Sequence, residues 1–363
     1  MTKDKIIIAT GGTGGHIFPA YSLAKYLMDK NFNVKLTTDK RGFKYLEKYK
    51  NLSLNIIPTS PLERKNFLKS MFSIVIITYS IFKSVLFLTL NRPSIIFGMG
   101  GYSSFPICIA AFFLRIKFIV YENNLIIGKA NKYLLPFTEK IFVSYKELEG
   151  IPKKFNDKII EIGNLVREEI LNSNNISHEN QIKKLKILVI GGSQGAKIFA
   201  EELPPVFEKL NNLGLNLKIY QQCQKEQTEY LSEFYRKFDI DYEVFNFTNN
   251  IIDYYSKTNL VITRSGASVL GELINIKVPF ISIPLPTSAD NHQLKNAEFY
   301  EKKGYGYLLN ERDINKKLLS LINSIFKDKT LISKILSNQR QYSDKDIFKN
   351  VKILIEKVLN EKN

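Results

Sequence analysis

An apolar run, a glycine-rich turn and a helix-patterned stretch occur twice in this chain of 363 residues, and that repetition constrains the fold more than any other feature. The first copy runs from Lys5–Ala9 into Gly11-Gly12-Thr13-Gly14-Gly15-His16 and a helical pattern at 17–28. The second runs through 185–190 into Gly191-Gly192-Ser193-Gln194-Gly195-Ala196. Glycines at a strand end leave backbone N–H groups bare, and a helix N-terminus favours an anion, so each turn reads as a phosphate cradle. A tight turn with no ligand has the same composition. Neither copy has the spacing of the dehydrogenase fingerprint or the Gly-Lys-Ser/Thr ending of a P-loop. Together they predict an α/β protein of two doubly wound halves facing one another.

The length also predicts two domains. Short β-branched runs alternate with helical stretches, with strands at 32–37, 53–57, 95–97, 118–121 and 141–143, then at 186–190, 217–220, 242–245, 260–262 and 280–283. This pattern argues for parallel sheets covered on both faces. The expected boundaries are 1–164, joined by an amphipathic C-terminal helix at 345–363, and 165–344. Residues 172–184 are polar enough for a linker, where His178 reads as a solvated side chain. Cys108 and Cys223 give neither a disulfide framework nor a zinc spacing, and no metal site is legible. Residues 1–4 lead into a strand without the regions of a signal peptide, which predicts a cytosolic protein. The net charge of +17 favours acidic partners. No nucleic-acid motif accompanies it, and nucleic acid is not expected.

Residues 66–90 are nearly uncharged and long enough to cross a bilayer. Lys83 interrupts them, and a crossing would separate strands that must pair. On a helix, Lys65, Lys69, Phe72, Ile76, Tyr79, Lys83 and Phe87 share one face, while Met71, Ile74, Val75, Thr78, Phe82 and Val85 point toward another. A face mixing lysines with large apolar groups, flanked by Arg64 and Arg92, suits peripheral attachment to an anionic membrane surface. The alternative is a core helix with snorkelling lysines.

Ligands of parallel sheets bind beyond the strand C-termini. In the first half three loops there are chemically loaded: the Gly11 turn, Gly98-Met99-Gly100-Gly101-Tyr102-Ser103-Ser104, and Glu122-Asn123-Asn124. In the second, Thr263-Arg264-Ser265-Gly266-Ala267-Ser268-Val269-Leu270-Gly271-Glu272 follows a strand, so small residues open a helix that can hold a nucleotide phosphate. Glu272 is then placed to accept hydrogen bonds from ribose hydroxyls, or is an ordinary helical carboxylate. Farther on, Asp290, Asn291, His292 and Gln293 offer donors and acceptors for several sugar hydroxyls.

In this order the motifs, with Gly163-Asn164-Leu165-Val166-Arg167 and Asn296-Ala297, resemble the bacterial MurG family of glycosyltransferases over nearly the whole chain. The resemblance implies a GT-B fold of two Rossmann-like domains. It also implies an inverting transfer of GlcNAc from UDP-GlcNAc to the 4-hydroxyl of MurNAc-pentapeptide on undecaprenyl diphosphate, the lipid I to lipid II step of peptidoglycan synthesis. That reaction belongs to the cytoplasmic face of the plasma membrane, with no cofactor or bound metal and with cell-wall synthesis proteins as further partners. By the same resemblance Thr13, Gly14 and Gly15 line the cleft near the diphosphates, Asn124 approaches the sugar, and Arg167 and Ser193 approach the nucleotide. The backbone at Thr248 reads uracil. Ala267, Ser268, Val269, Leu270, Gly271 and Glu272 carry phosphate and ribose contacts, and His292 and Gln293 read GlcNAc. Acceptor contacts fall to His16, Gly100, Gly101 and Tyr102.

Two departures stand out. Tyr121-Glu122-Asn123-Asn124 replaces the family's His-Glu-Gln-Asn, and Val269 lacks the usual hydroxyl. For the base that takes the acceptor proton the candidates are His16 and Glu122. His16 stands ahead because histidine titrates near neutral pH, although its position also suits binding of lipid diphosphate. Rival readings are another lipid glycosyltransferase of this fold and a UDP-GlcNAc 2-epimerase, against which residues 66–90 argue. A non-catalytic nucleotide- or nucleic-acid-binding protein is a third, and it leaves the sugar-reading cluster unexplained.

Overall fold

Ile6, Ile7 and Ile8 of the first strand have no exposed surface. Burial on both faces is why the strand reads as an unbroken apolar run rather than an alternating one. The computed structural model describes residues 4–12, 14–49, 51–60, 67–173, 184–192, 196–248 and 250–361. The expectations for Thr13, Lys65, His178 and Ser193, and for the side chain of Lys69, fall outside these. The chain forms two compact units, Met1–Arg167 with Asp344–Asn363, and Glu168–Ser343.

Among the described residues the first unit has seven parallel strands, β1 (Lys5–Ala9), β2 (Asn33–Thr38), β3 (Ser53–Ile56), β4 (Ile95–Gly98), β5 (Phe118–Glu122), β6 (Lys140–Val143) and β7 (Ile159–Glu161). Their order is β3-β2-β1-β4-β5-β6-β7, with Ile6 beside Val34 on one side and Ile95 on the other. The order reverses between β1 and β4, which makes the loops after these strands the natural crevice. Helices α1 (Gly14–Asp29), α2 (Lys40–Leu46), α3 (Phe67–Asn91), α4 (Phe105–Phe113) and α5 (Lys129–Leu134) cover the sheet. Ile7, Ala9, Ile96, Phe118, Val120 and Ile141 pack with Leu88, Ile107, Ala110, Ala111 and Leu134 in one core.

The inner face of α3 corrects the sequence reading. Ser73, Ser80, Ser84 and Leu88 are buried, whereas Met71, Phe72, Ile74, Val75, Tyr79, Phe82, Leu86 and Leu90 are each more than half exposed. Ser80 and Ser84 bury their hydroxyls by donating back to the carbonyls of Ile76 and Ser80, both at 2.7 Å. These small, internally satisfied side chains let the helix lie close. Phe72 and Tyr79 face outward as expected. Ile76 and Phe87 are half-buried, and Lys83 turns inward, where Nζ donates to Ile56 O at 3.0 Å. Among the described residues the outward surface of α3 is therefore mostly apolar, and Lys83 is not part of it.

The C-terminal helix Ile347–Asn360 belongs to this unit. Phe348 stacks on Tyr26 of α1 at 5.6 Å, and Lys117 Nζ donates to the terminal carbonyls of Val358 and Glu361 at 3.0 and 2.5 Å. A cation on the last carbonyls is a helix stop.

The second unit repeats the plan with β8 (Leu185–Ile190), β9 (Leu217–Gln222), β10 (Asp241–Phe245), β11 (Leu260–Thr263), β12 (Phe280–Ser282) and β13 (Tyr307–Leu308), in the order β10-β9-β8-β11-β12-β13, all parallel. Its reversal lies between β8 and β11. Ile187, Val189, Ile219, Ile262 and Ile281 pack against Phe199, Phe207, Leu231 and Tyr235. The doubly wound α/β architecture expected from the repeated turn is present in each unit. The short edge strands β7 and β13 were not expected.

Candidate active site

The first glycine turn is not a bare anion cradle. The N–H of Gly12, at φ +81°, donates to both oxygens of Asp39 at 3.2 Å, so that amide faces a carboxylate. Asp39 is buried at the N-cap of α2, where it also accepts from Gly42 N at 2.7 Å. Gly11 packs so closely on the next loop that a Cβ there would lie 2.1 Å from Ser103 Oγ. Thr10 Oγ1 donates to His16 O at 3.0 Å and ties the strand end to the first turn of α1. His16 is half-buried beside the second glycine loop, since a Cβ on Gly100 would stand 3.9 Å from His16 Cε1. Gly100 and Gly101 have φ of +81° and +74°, a conformation suited to glycine, and Tyr102 is exposed.

Glu122 lies at the end of β5, and its carboxylate is buried. Oε1 accepts from Asn124 N at 3.1 Å and Asn124 Nδ2 at 2.8 Å, and Oε2 accepts from Gly128 N at 2.9 Å and Asn131 Nδ2 at 3.0 Å. Four N–H donors on one carboxylate hold the loop 122–131 in shape, with Asn124 at its turn. Gly128 and Asn131, six and nine residues downstream, are partners that the sequence reading missed.

Tyr121 is a structural post. Its hydroxyl accepts from Leu165 N at 2.9 Å and lies 2.8 Å from Ser144 Oγ and 3.2 Å from Gly163 O. Burial pushes the phenol pKa well up, so the group acts only as a neutral hydrogen-bonding post. The segment it holds continues through Asn164, which donates to Tyr145 Oη at 2.8 Å and to Asp344 at 3.3 Å. Arg167 then lies over the Phe18 ring at 4.7 Å. Burial, with the Arg167 guanidinium second, draws the Lys48 ammonium below its ordinary pKa.

In the second unit Gly266 caps the helix Ala267–Ile276 without a side-chain acceptor, an arrangement that suits an anion at the helix N-terminus. Val269, Leu270 and Gly271 lie in its first turns. Glu272 is buried, and Tyr255 Oη donates to its Oε2 at 3.1 Å. Asn296 Nδ2 donates to Ser265 O at 3.1 Å and ties the next helix to this loop. The sequence reading missed both Tyr255 and Asn296 in these roles. Arg264 departs from the phosphate loop expected of it. Its guanidinium pairs with Glu311 at 2.5 Å, donates to the carbonyls of Ile283 and Pro284 at 3.3 Å and covers the Phe199 ring at 4.8 Å, so it braces the loop after β12.

That loop leads into the helix His292–Lys302 through Asp290 and Asn291, both left-handed at φ 51° and 55°. Successive non-glycine residues there cost about 1 kcal/mol each. Such strain tends to collect at ligand sites. His292 Nδ1 lies 2.7 Å from Ala289 O, so it carries the proton and Nε2 is the outer nitrogen. Gln293 uses its side-chain carbonyl to accept from Leu285 N at 2.9 Å. At the other end of the sheet Thr248 Oγ1 accepts from Asn250 N at 3.0 Å and shapes the turn after the exposed Phe247. A cavity of 590 Å³ opens beside the strained loop, bordered by Pro284, Leu285, Asn291, Leu294 and Asn315.

Comparison with known proteins agrees with this arrangement. The glycosyltransferase family 28 N-terminal domain matches residues 6–143, and the family's C-terminal domain matches residues 186–351. The UDP-N-acetylglucosamine--N-acetylmuramyl-(pentapeptide) pyrophosphoryl-undecaprenol N-acetylglucosamine transferase of Pelagibacter ubique is 38% identical over 362 residues, 99% of each chain. The protein of the same name from Rickettsia felis is 37% identical over 88% of this chain and 91% of its own. Among solved structures, Acinetobacter baumannii MurG superposes with a TM-score of 0.78 at 24% identity, over 98% of this chain and 99% of that one. An S. aureus MnaA structure with UDP superposes with a TM-score of 0.69 at 16% identity, over 99% of both chains. From the first glycine turn to the last helix, this chain belongs to glycosyltransferase family 28.

Proposed function

We propose that the chain transfers N-acetylglucosamine from UDP-GlcNAc to the 4-hydroxyl of MurNAc-pentapeptide on undecaprenyl diphosphate, a step of peptidoglycan synthesis. The observation that carries this reading is the end-to-end similarity, 38% over 99% of both chains, to a curated transferase of that activity. The UDP-GlcNAc 2-epimerase reading has only a likeness of fold behind it.

In this reading the acceptor hydroxyl attacks the anomeric carbon of the α-linked donor. The bond from C1 to the phosphate oxygen breaks, and UDP leaves with the electron pair. The product is the inverted β-1,4 linkage. Loss of the hydroxyl proton falls to His16, because it lies half-buried beside the glycine-lined loop of Gly100, Gly101 and Tyr102. Glu122 is the weaker candidate, since four N–H groups already occupy its oxygens. Asn124, held by that carboxylate, is assigned to the sugar. Charge on the departing UDP is met by the N-terminal end of Ala267–Ile276, where the dipole and backbone N–H groups act without a side-chain hydroxyl. On that account Val269 costs little. Glu272 takes the ribose hydroxyls, the Thr248 backbone the uracil, and His292 and Gln293 the GlcNAc hydroxyls, while Thr13, Gly14, Gly15, Arg167 and Ser193 flank the diphosphates.

UDP release with a soluble lipid I analogue tests the reading. Release is expected with UDP-GlcNAc and not with UDP-Glc, and Glu272→Ala should raise the KM for UDP-GlcNAc about tenfold by losing a charge-assisted hydrogen bond. Donor binding without transfer to this acceptor would sink the assignment.

The same reading makes the protein peripheral to the membrane. Residues Ser70–Asn91 are long and apolar enough to cross a bilayer. However, α3 connects β3 to β4 of one parallel sheet, and its serine face is buried, so it cannot span without tearing that sheet. Exposed aromatic side chains at the end of α4 and after α5, with the Phe112 ring 4.4 Å from that of Phe137 and 5.7 Å from that of Phe113, add to the apolar surface of this unit. Val75→Glu with Phe82→Glu is expected to lower flotation with anionic liposomes by about tenfold or more, while Lys83→Ala changes it little. Equal flotation of the double variant and the parent would refute attachment through α3.

A further inference from the structure

We infer that Asp39 is a positioning residue for the transfer, holding the first glycine turn and the 99–104 loop in register and so fixing where His16 stands. The inference rests on the reading of His16 as the base. β2, β1 and β4 are parallel neighbours in the sheet, so the segments that follow them meet at the C-terminal end of the strands. Asp39 reaches all three. It accepts from Gly42 N at 2.7 Å on its own helix, from Gly12 N at 3.2 Å in the first turn, and from Ser103 Oγ at 3.3 Å in the second loop. The Arg41 guanidinium lies 3.4 Å away on the solvent side and meets part of the charge.

Capping α2 needs one oxygen, which Ser or Asn supplies as well as Asp does. The Gly12 N–H spans both oxygens and the Ser103 hydroxyl donates to the second, and only a carboxylate offers two acceptor oxygens. The turn and the loop are packed without slack. A Cβ on Gly11 would lie 2.1 Å from Ser103 Oγ, and one on Gly100 would lie 3.1 Å from Tyr121 O. His16 starts from the first of these segments and faces Gly100 in the second. A slip of one against the other moves the imidazole relative to the surface that would carry the acceptor. A buried carboxylate beside a turn that faces anionic substrates is electrostatically unhelpful for binding them, which separates a positioning role from a binding one.

Steady-state and single-turnover kinetics of the full-length enzyme test this with Asp39→Asn, Asp39→Ala and Ser103→Ala, alone and combined with His16→Ala. Asp39→Asn keeps an oxygen for the Gly42 N–H, so the α2 cap survives; its NH2 takes the place of Oδ2, where the Ser103 hydroxyl can turn to accept but the Gly12 N–H loses one of its two acceptor oxygens. The expected kcat is about 10-fold lower for Asp39→Asn and about 10²-fold lower for Asp39→Ala, with a smaller fall for Ser103→Ala. The KM for UDP-GlcNAc should stay within about twofold. In the His16→Ala background Asp39→Asn should cost almost nothing further, because residues acting through one group are not additive. Unchanged kcat in both Asp39 variants overturns the inference, as does a fall that only tracks loss of folded protein by circular dichroism. An Asp39→Asn effect of the same factor with and without His16 overturns it while leaving the base reading intact. Near-normal turnover of His16→Ala alone overturns the base reading, and this inference with it.

Discussion

His16→Ala is expected to lower kcat by about 10²- to 10⁴-fold at saturating acceptor, the range for loss of a general base. The KM for UDP-GlcNAc should move by less than about twofold, since the groups assigned to the ribose and GlcNAc hydroxyls, Glu272, His292 and Gln293, lie in the other unit and His16 itself is assigned no donor contact. The split between kcat and KM carries the argument. If His16 instead holds the lipid diphosphate, its loss raises the acceptor KM and leaves kcat at saturation near that of the parent. The pH profile gives a second reading. A base that must be neutral to accept a proton produces an acidic limb in kcat, and that limb should disappear in His16→Ala. His16→Gln separates shape from proton transfer, because its amide keeps a hydrogen-bonding group at the same turn and takes up no proton. Recovery of turnover with Gln would speak for positioning.

Both Rossmann-like sheets and the placement of the first glycine turn were legible because they depend on local pattern: an unbroken apolar run, a glycine-rich turn and a helix. The end of the chain was legible for the same reason, since the buried Ile347, Phe348, Val351, Ile355 and Val358 repeat at helical spacing. What escaped was set by partners distant in sequence. Asp39 looks like an ordinary N-cap until Gly12 and Ser103, 27 and 64 residues away, are found on its oxygens. Arg264 sits in a phosphate-loop motif, yet Glu311 and the Ile283 and Pro284 carbonyls use its guanidinium. For α3 the periodicity was sound, but the extent of the outward face was not legible. The sequence reading placed lysines and large apolar groups together on the outward face, whereas Lys83 turns inward and this helix buries serines whose hydroxyls bond to its own carbonyls, leaving Val75 and Phe82 exposed along with Phe72 and Tyr79. Burial of a serine depends on the satisfaction of its hydroxyl, which composition does not reveal.

Glu122→Gln carries the second large effect, and it decides what this carboxylate is for. An amide has one oxygen and one NH2, so in either orientation its NH2 faces a pair of N–H donors, those of Asn124 or those of Gly128 and Asn131. Leaving such buried donors unpaired costs about 2–4 kcal/mol. On a unit of this size that lowers the melting temperature by roughly 5–15 °C. Asn124 leaves its place with the loop, so kcat should fall about 10²-fold through misplacement of the sugar. A general base at this position predicts a different pair of results, since removing its proton affinity abolishes turnover without disturbing the fold. The melting temperature therefore discriminates where turnover cannot. A lower melting temperature together with lower kcat makes Glu122 the organiser of the 122–131 loop and leaves proton removal to His16. Lost turnover at an unchanged melting temperature would make Glu122 the base and return His16 to holding the acceptor diphosphate.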